Sequence, residues 1–586
     1  MIEKMTRYSF ILLKKSDEGF TETLQELWLM DITRSSRPVD EESAAMLAEA
    51  ESLKKAISDI EEDRFTRDPR YNALIAQESL LQKQYVSALP WGQFDPAALE
   101  GLSAHGMKAR FYCVASKKFD PAWGEIQPLQ TIAEQDGNLY FVTLGPEADY
   151  EFPIPECPAP AAPAPLLESR LKETAAALQE RRAVLESEKD NLPSMRDKLA
   201  GTLEALDRRL ALAASQTAAE GALTVMEGFA PTKDDARVQA ALDSMDVVYY
   251  CEKAHSSDNP PIKLRNHRFS KLFEGITGMY GMPVYNEFDP TPVLSIFFML
   301  FFAMCMGDAG YGLILILFGI AVNKKWVRID MFKNIGTLIS VLGVATFFVG
   351  LMLGTFFGMS LQDASWYPDM LKKFIISGTI AGYSAQMVLA LAVGVLHICL
   401  AMIIKTALYT AQSGVRNNLS TWGWTLLIVG SVVTLSLAAL LHLDAGTTKI
   451  IIIAIAILSA LGIFIFNRPG KNPLANIGVG LWNTYQMVTG LLGDVLSYIR
   501  LYALGLAGGM LGDSFNKLGL MVLGDNPVWQ WVPFVLILLL GHTLNILMSC
   551  LGAFVHPLRL TFVEYFKNSG FEGTGRAYKP LAKTNK

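Results

Sequence analysis

Two arginines, Arg500 and Arg559, stand in apolar segments of this chain. Arg500 lies in GDVLSYIRLYALGLAGGML (493–511), with apolar residues around it for a full helix length on both sides. A guanidinium keeps its charge at any accessible pH. At bilayer depth such a charge is costly, so it marks an ion or substrate path. The same segment holds Gln486, Asp494, Ser497 and Tyr498. Steps of three put Asp494, Ser497 and Arg500 on one broad helix face. The last apolar segment holds His542, Asn545, Ser549, His556 and Arg559, again spaced to share a face. Two polar stripes on adjacent helices make an aqueous ion path. Its candidate residues are Arg500, Arg559, Asp494, Ser497, His556, Asn545 and Ser549. Each has a plainer reading. Arg559 can snorkel from a helix end, Arg500 can pair with Asp494, and the histidines can be ordinary hydrogen-bonded helix residues. His397 and Lys405 read as packing and interfacial residues, and Asp308 in GDAGYG as an acid that stabilises a break.

The elements that position these residues fall in a membrane half. Apolar runs cover 293–322, 335–358, 384–411, 421–442, 448–466, 478–511 and 528–566. Runs of this length span about 30 Å of hydrocarbon. GDAGYG (307–312) breaks the first run in two, which makes about eight spans. Eight spans put NKKWVR (323–328), Lys405, Arg416, NRPGK (467–471) and the basic tail on one side. That is the cytoplasmic side by the positive-inside rule.

The charged first half is soluble in character. Strands are expected at 7–13 and 27–32 around a helix at 17–26, then a mostly helical stretch over 41–88. Strands at 107–115 and 139–145 imply a small α/β lobe, and PIPECPAPAAPAP (153–165) an extended spacer. Leu171, Leu178, Leu185, Leu192, Leu199 and Leu206 recur every seven residues, a coiled-coil seam. The positions four residues after them, such as Arg182 and Lys189, are weak companions, and Pro193 must kink or divide the helix. Residues 222–256 read as strand, helix and strand.

The expected fold is therefore mainly α. A cytosolic dumbbell over 1–290 has one α/β lobe from 1–40 plus 215–260 and a distal lobe at 95–150. An antiparallel coiled coil with arms 41–90 and 166–212 joins them. A polytopic helical membrane domain over 291–566 and a cytosolic tail, 567–586, follow. A homodimeric leucine zipper is the alternative for the heptads, but no basic stretch precedes them.

The net charge of −6 argues against nucleic acid as the main partner. Six scattered cysteines without a CxxC pair suggest neither a metal site nor a disulfide framework. The N-terminal MIEKMTRYSF lacks a signal-peptide apolar core, so the soluble half is expected in the cytoplasm. There is no GxxxxGK[ST], HExxH or GxSxG motif. No cofactor is implied, and any nucleotide-driven step belongs to another subunit.

NEFDPTP (286–292), GDAGYG, GDVLSYIRLYALGLA (493–507) and HPLRLTFVEYF (556–566) carry a resemblance over nearly the whole chain. The chain resembles the membrane stator subunit of rotary V-type/A-type ATPases, subunit I of prokaryotes and subunit a of eukaryotes. The resemblance implies ion half-channels against a ring of rotor subunits, with Arg500 facing each passing carboxylate and Arg559 assisting. It also implies peripheral-stalk subunits on the soluble half, a central-stalk subunit beneath the ring, and surrounding lipid. Many eukaryotic relatives place a histidine eight residues after the arginine matching Arg500; here that position is Gly508. A stand-alone channel or secondary transporter with a coiled-coil sensor is the competing class. It predicts internal membrane repeats, which the sequence does not display. A purely structural anchor would tolerate neutralisation of Arg500.

Overall fold

The computed structural model describes the chain except residues 36, 38–39, 147–151, 246, 325, 327–334, 366, 381, 443, 467–472, 524–526 and 584–586. The basic loop NRPGK, half of NKKWVR and Lys586 thus lie outside the described residues. The chain is mainly helical, at 68%. Its first half supplies β1 (Met5–Leu13), α1 (Asp17–Leu27), β2 (Asp31–Ile32), α2 (Glu41–Arg67) and α3 (Pro69–Ala88). Next come β3 (Met107–Ala115), β4 (Leu129–Gln135), β5 (Asn138–Pro146), α4 (Ala164–Ser187) and α5 (Leu192–Ala213). Then follow β6 (Leu223–Pro231), α6 (Asp235–Leu242) and β7 (Val248–Lys253). Apolar helices follow: α7 (Thr291–Met306), α8 (Ala309–Asn323), α9 (Ile335–Leu353), α10 (Ala385–Ser413) and α11 (Leu419–Leu441). The last are α12 (Ala445–Ala460), α13 (Pro473–Ser497), α14 (Ile499–Val522) and α15 (Pro527–Arg559).

These elements form two compact units. One holds Lys14–Trp28, Thr33–Thr217 and Leu581–Lys586. In it β3, β5 and β4 make an antiparallel sheet in the order β3-β5-β4. The sequence reading missed β4 because its side chains are largely exposed and do not alternate. The long helices pair α2 with α5 and α3 with α4. Ion pairs Asp40–Arg209, Glu49–Lys198, Glu61–Arg196 and Asp68–Arg181 climb one arm while descending the other, so the arms are antiparallel. The expected single helix over 41–88 divides at Asp68, which ends α2 and caps α3 by accepting from Tyr71 N at 2.7 Å. The return arm divides too. A 3₁₀ turn at Glu188–Asn191 separates α4 from α5, and Pro193 falls in the first turn of α5, where its missing N–H costs nothing. All six heptad leucines are buried or half-buried. Their companions include residues three positions on, buried Thr174 and half-buried Arg181, whereas Arg182, Lys189 and Arg196, four positions on, are exposed.

The other unit holds Met1–Leu13, Leu29–Ile32 and Ala218–Pro580. Its antiparallel sheet has the order β2-β6-β1-β7. Tyr8, Phe10 and Leu12 alternate inward on β1, as period-two geometry requires. The Tyr8 hydroxyl donates to Asp235 at 2.8 Å and ties α6 to that sheet. Strand pairing over 27–32 is confined to Asp31–Ile32, because α1 runs on to Leu27.

The count of eight spans is corrected. Six helices among the described residues are long and apolar enough to cross a membrane. One of them, Asn476–Val522, joins α13 and α14 over 47 residues. α7 and α8 fall short, at 16 and 15 residues. α7 is apolar all round because Leu294, Phe298, Phe301 and Ala303 are buried in the core of this unit. A buried helix and a lipid-facing helix read alike in sequence. The GDAGYG break is real. Gly307 ends α7 in the left-handed conformation (φ 59°). Asp308 caps α8 by accepting from Gly310 N and Tyr311 N, and accepts from Phe357 N and Gly358 N as well. It is a structural acid. Glycines let α8 and α9 approach closely: a Cβ on Gly312, Gly319, Gly336, Gly343 or Gly350 would strike the facing helix.

Candidate functional site

α13 and α14 meet at Tyr498, and Arg500 stands in the first turn of α14. Arg500 is half-buried, and its Nη1 is buried without a hydrogen-bond partner among the described residues. Asp494 is not its counterion. That carboxylate is 8% exposed and accepts from Lys567 Nζ at 3.3 Å and Asn568 Nδ2 at 2.8 Å. Ser497 bonds back to Gly493 O at 3.0 Å, a common way to seat a hydroxyl in an apolar helix. Arg559 is exposed and directly precedes the π-helical turn Leu560–Tyr565 that carries the last helix on. His556 is half-buried and lies within reach of both guanidinium charges. Arg500 on α14 and the neighbouring His556 and Arg559 on α15 are therefore one electrostatic neighbourhood.

Asn545 and Ser549 belong to a second cluster. Asn545, 1% exposed, donates through Nδ2 to Tyr311 Oη (2.8 Å) and to Gly508 O (2.9 Å). Ser549 Oγ donates to Asn545 Oδ1 at 3.3 Å. Tyr311 Oη is 2.8 Å from His542 Nδ1, and His542 Nε2 is 3.1 Å from Asn516 Oδ1. The polarity of this chain follows from its end. Asn516 Nδ2 donates to Phe357 O at 2.7 Å, so its Oδ1 must accept. His542 then donates through Nε2 and accepts at Nδ1 from Tyr311. A second proton on that imidazole would face a donor, so the network suits a neutral histidine that locks α8, α14 and α15 together. Gly508 fits the same cluster, because a Cβ there would meet Ser549 Oγ at 3.1 Å.

Four polar residues of these two clusters escaped the sequence reading: Glu564, Lys567, Asn568 and Tyr311. Glu564, 2% exposed, sits in the π-helical turn Leu560–Tyr565 with Ser497, Asp494 and Arg559 as electrostatic neighbours. Its Oε2 has no hydrogen-bond partner among the described residues. An acid five residues after Arg559 in HPLRLTFVEYF was the available signal. Lys567 and Asn568 lie in what reads as a polar tail, and only their contact with Asp494 marks them.

Two cavities lie between the α13–α14 segment and other elements, and a third is bounded by α13 residues alone. Of the first two, one, of about 630 Å³, is lined by Thr355, Gln386, Tyr502, Gly505, Asp513 and Lys517 among others. The other, of about 350 Å³, is lined by Lys405, Thr425, Gln486, Lys567 and Asn568 among others. The second touches 483–487 and the first 502–517, with Arg500 between them along the segment.

A family model described as the V-type ATPase 116kDa subunit family matches residues 165–373. The A-type ATP synthase subunit I of Methanocaldococcus jannaschii is 30% identical over 385 residues, 61% of this chain and 54% of that protein. The V-type ATP synthase subunit I of Borreliella burgdorferi is 27% identical over 368 residues, 61% of this chain and 60% of that protein. For V-type ATP synthase subunit I 1 of Treponema pallidum the identity is 26% over 525 residues, 84% of this chain and 81% of the relative. The chain thus spans little more than half the length of the first two relatives. A multi-pass membrane protein, the chain is similar in sequence to subunit I of the V/A-type ATPases.

Proposed function

We propose that the chain is the stationary membrane subunit of a rotary ion-translocating ATPase. Its relatives' names supply the complex, an ATP synthase. The observation that carries the reading is Arg500, with a buried nitrogen short of a partner, between two cavities on one helical segment. The partner that nitrogen lacks is a carboxylate on a ring of rotor subunits. An ion enters the ring from one cavity and leaves through the other. Between them the emptied carboxylate passes a fixed cation, which favours its charged form and blocks a direct leak. Arginine suits this role because it cannot deprotonate, whereas a buried lysine can. Arg559 and His556 assist from the last helix, Asp494 and Ser497 line the approach to the smaller cavity, and Asn545 and Ser549 stiffen the wall. The path couples ion flow to ATP hydrolysis or synthesis elsewhere in the complex.

The soluble residues 1–290 lie in the cytoplasm in this reading. Their antiparallel arms form a coiled coil between two lobes that hold peripheral-stalk subunits, while a central-stalk subunit turns beneath the ring. The membrane domain runs over 291–566, before a cytosolic tail.

Membrane vesicles bearing the assembled complex test the proposal. Arg500→Ala is expected to abolish ATP-driven ion uptake while the complex still assembles. Uptake at the wild-type rate in that variant refutes it.

A further inference from the structure

Among the described residues, nothing hydrogen-bonds Arg500 Nη1 to set its position. The residue two positions earlier is held firmly. Tyr498 is 0% exposed, and its hydroxyl lies 3.0 Å from Nδ1 of His397, also 0% exposed, on α10. The imidazole stacks with Tyr565 at 4.4 Å and 2° and with Phe297 at 4.3 Å and 27°. Phe301 meets it edge-on at 5.1 Å. One turn away, Gly394 lies so near Tyr498 that a Cβ would strike the phenol ring. Tyr498 is thus seated in a slot on α10 made by a missing side chain and a caged histidine.

The slot matters because of where Tyr498 sits in its own helix. α13 ends at Ser497 and α14 starts at Ile499. The junction is bonded in steps of three, Tyr498 N to Val495 O and Leu501 N to Tyr498 O, both at 3.1 Å. Such a tightened turn marks a hinge in a helix. A slip of one residue there swings every following side chain by about 100° around the axis. Arg500 is the second residue past the junction.

We propose that His397 and Tyr498 are positioning residues, a buried hydrogen-bonded peg that holds the α13–α14 junction and so aims Arg500. The inference rests on the function proposed above, in which the direction of that guanidinium decides whether the rotor passes without leak. Removing the Tyr498 hydroxyl deprives His397 of its bond at Nδ1. Its Nε2 has none among the described residues. The imidazole is then left unpaired in an aromatic cage, a costly state that the junction can relieve by shifting.

The test uses vesicles bearing the assembled complex and reads ions moved per ATP hydrolysed. Tyr498→Phe and His397→Leu should assemble and hydrolyse ATP, yet move about tenfold fewer ions per ATP, as small misplacements of a functional group do. The double variant should be no worse than the poorer single, and His397→Gln, which keeps a donor and an acceptor, should recover most of the ratio. A wild-type ratio in Tyr498→Phe overturns the proposal. So does a His397→Gln variant no better than His397→Leu. If His397→Leu does not assemble, Tyr498→Phe, which removes one oxygen, decides. Arg500→Ala in parallel separates the levels. Normal pumping in that variant defeats the underlying reading, whereas its failure beside a normal Tyr498→Phe defeats the peg alone.

Discussion

Arg500 and Asn545 are both polar groups among apolar neighbours, but they do opposite things with their hydrogen bonds. Asn545 makes bonds to Tyr311, Gly508 and Ser549, whereas Arg500 Nη1 has no partner among the described residues. Asn545→Leu should therefore act on stability. It leaves several buried groups short of a partner, at about 1–3 kcal/mol, measurable as a lower melting temperature of the purified protein in detergent. Arg500→Lys should spare stability and lower ion pumping about tenfold or more, since the ammonium lacks the planar fork and discharges when buried. An Arg500→Lys variant that melted early yet pumped normally would reverse the two roles. Gly508→His should strain the wall against Ser549. Adding Ser549→Gly should relieve part of that strain, giving a non-additive double-mutant cycle in melting temperature. Strict additivity would mean that the two positions do not touch.

Helix pairs in the two units are held by different means. α8 and α9 rely on glycines, so Gly343→Leu should cost about 1–3 kcal/mol or more through overpacking. Folded yield and melting temperature check it, and an unchanged protein would mean the helices can separate freely. The soluble arms add ion pairs to their leucine seam. The Arg181 guanidinium, with help from the Tyr71 N–H, holds the Asp68 carboxyl below its usual range. Arg209 and Ser43 do the same for Asp40. A carboxyl lowered in the folded state adds stability above its unfolded pKa and loses it as pH falls through the folded value. The arms should thus weaken on acidification below about pH 4, where free aspartate titrates. Asp68→Asn should flatten that part of a melting-temperature profile, and an unaltered acid limb would assign the loss elsewhere.

At the scale of the molecule, correcting eight spans to six removes an even number, so the sidedness of later loops is unchanged. Single cysteines at Gln362, after α9, and at Ser413, closing α10, are both exposed and flank one span. They should react with an impermeant maleimide from opposite faces of a vesicle. Labelling from one face would break the topology on which the two-cavity path depends.

The residues themselves determined much of this. Two arginines in apolar segments, six leucines at sevenfold spacing and a glycine-framed aspartate were legible because cost, period and capping are local properties. Distances between segments are not local. The sequence reading grouped seven residues as one path. Folding sorted them into a charged neighbourhood at Arg500, His556 and Arg559, an ion pair at Asp494, and a neutral network at Asn545 and Ser549. It also promoted His397 from packing to a hydrogen bond with Tyr498 across 101 residues, and recruited Lys567 from the tail. The count of spans failed for the same reason. Whether an apolar helix such as α7 faces lipid or other helices depends on what surrounds it, and that is decided only when the chain has packed.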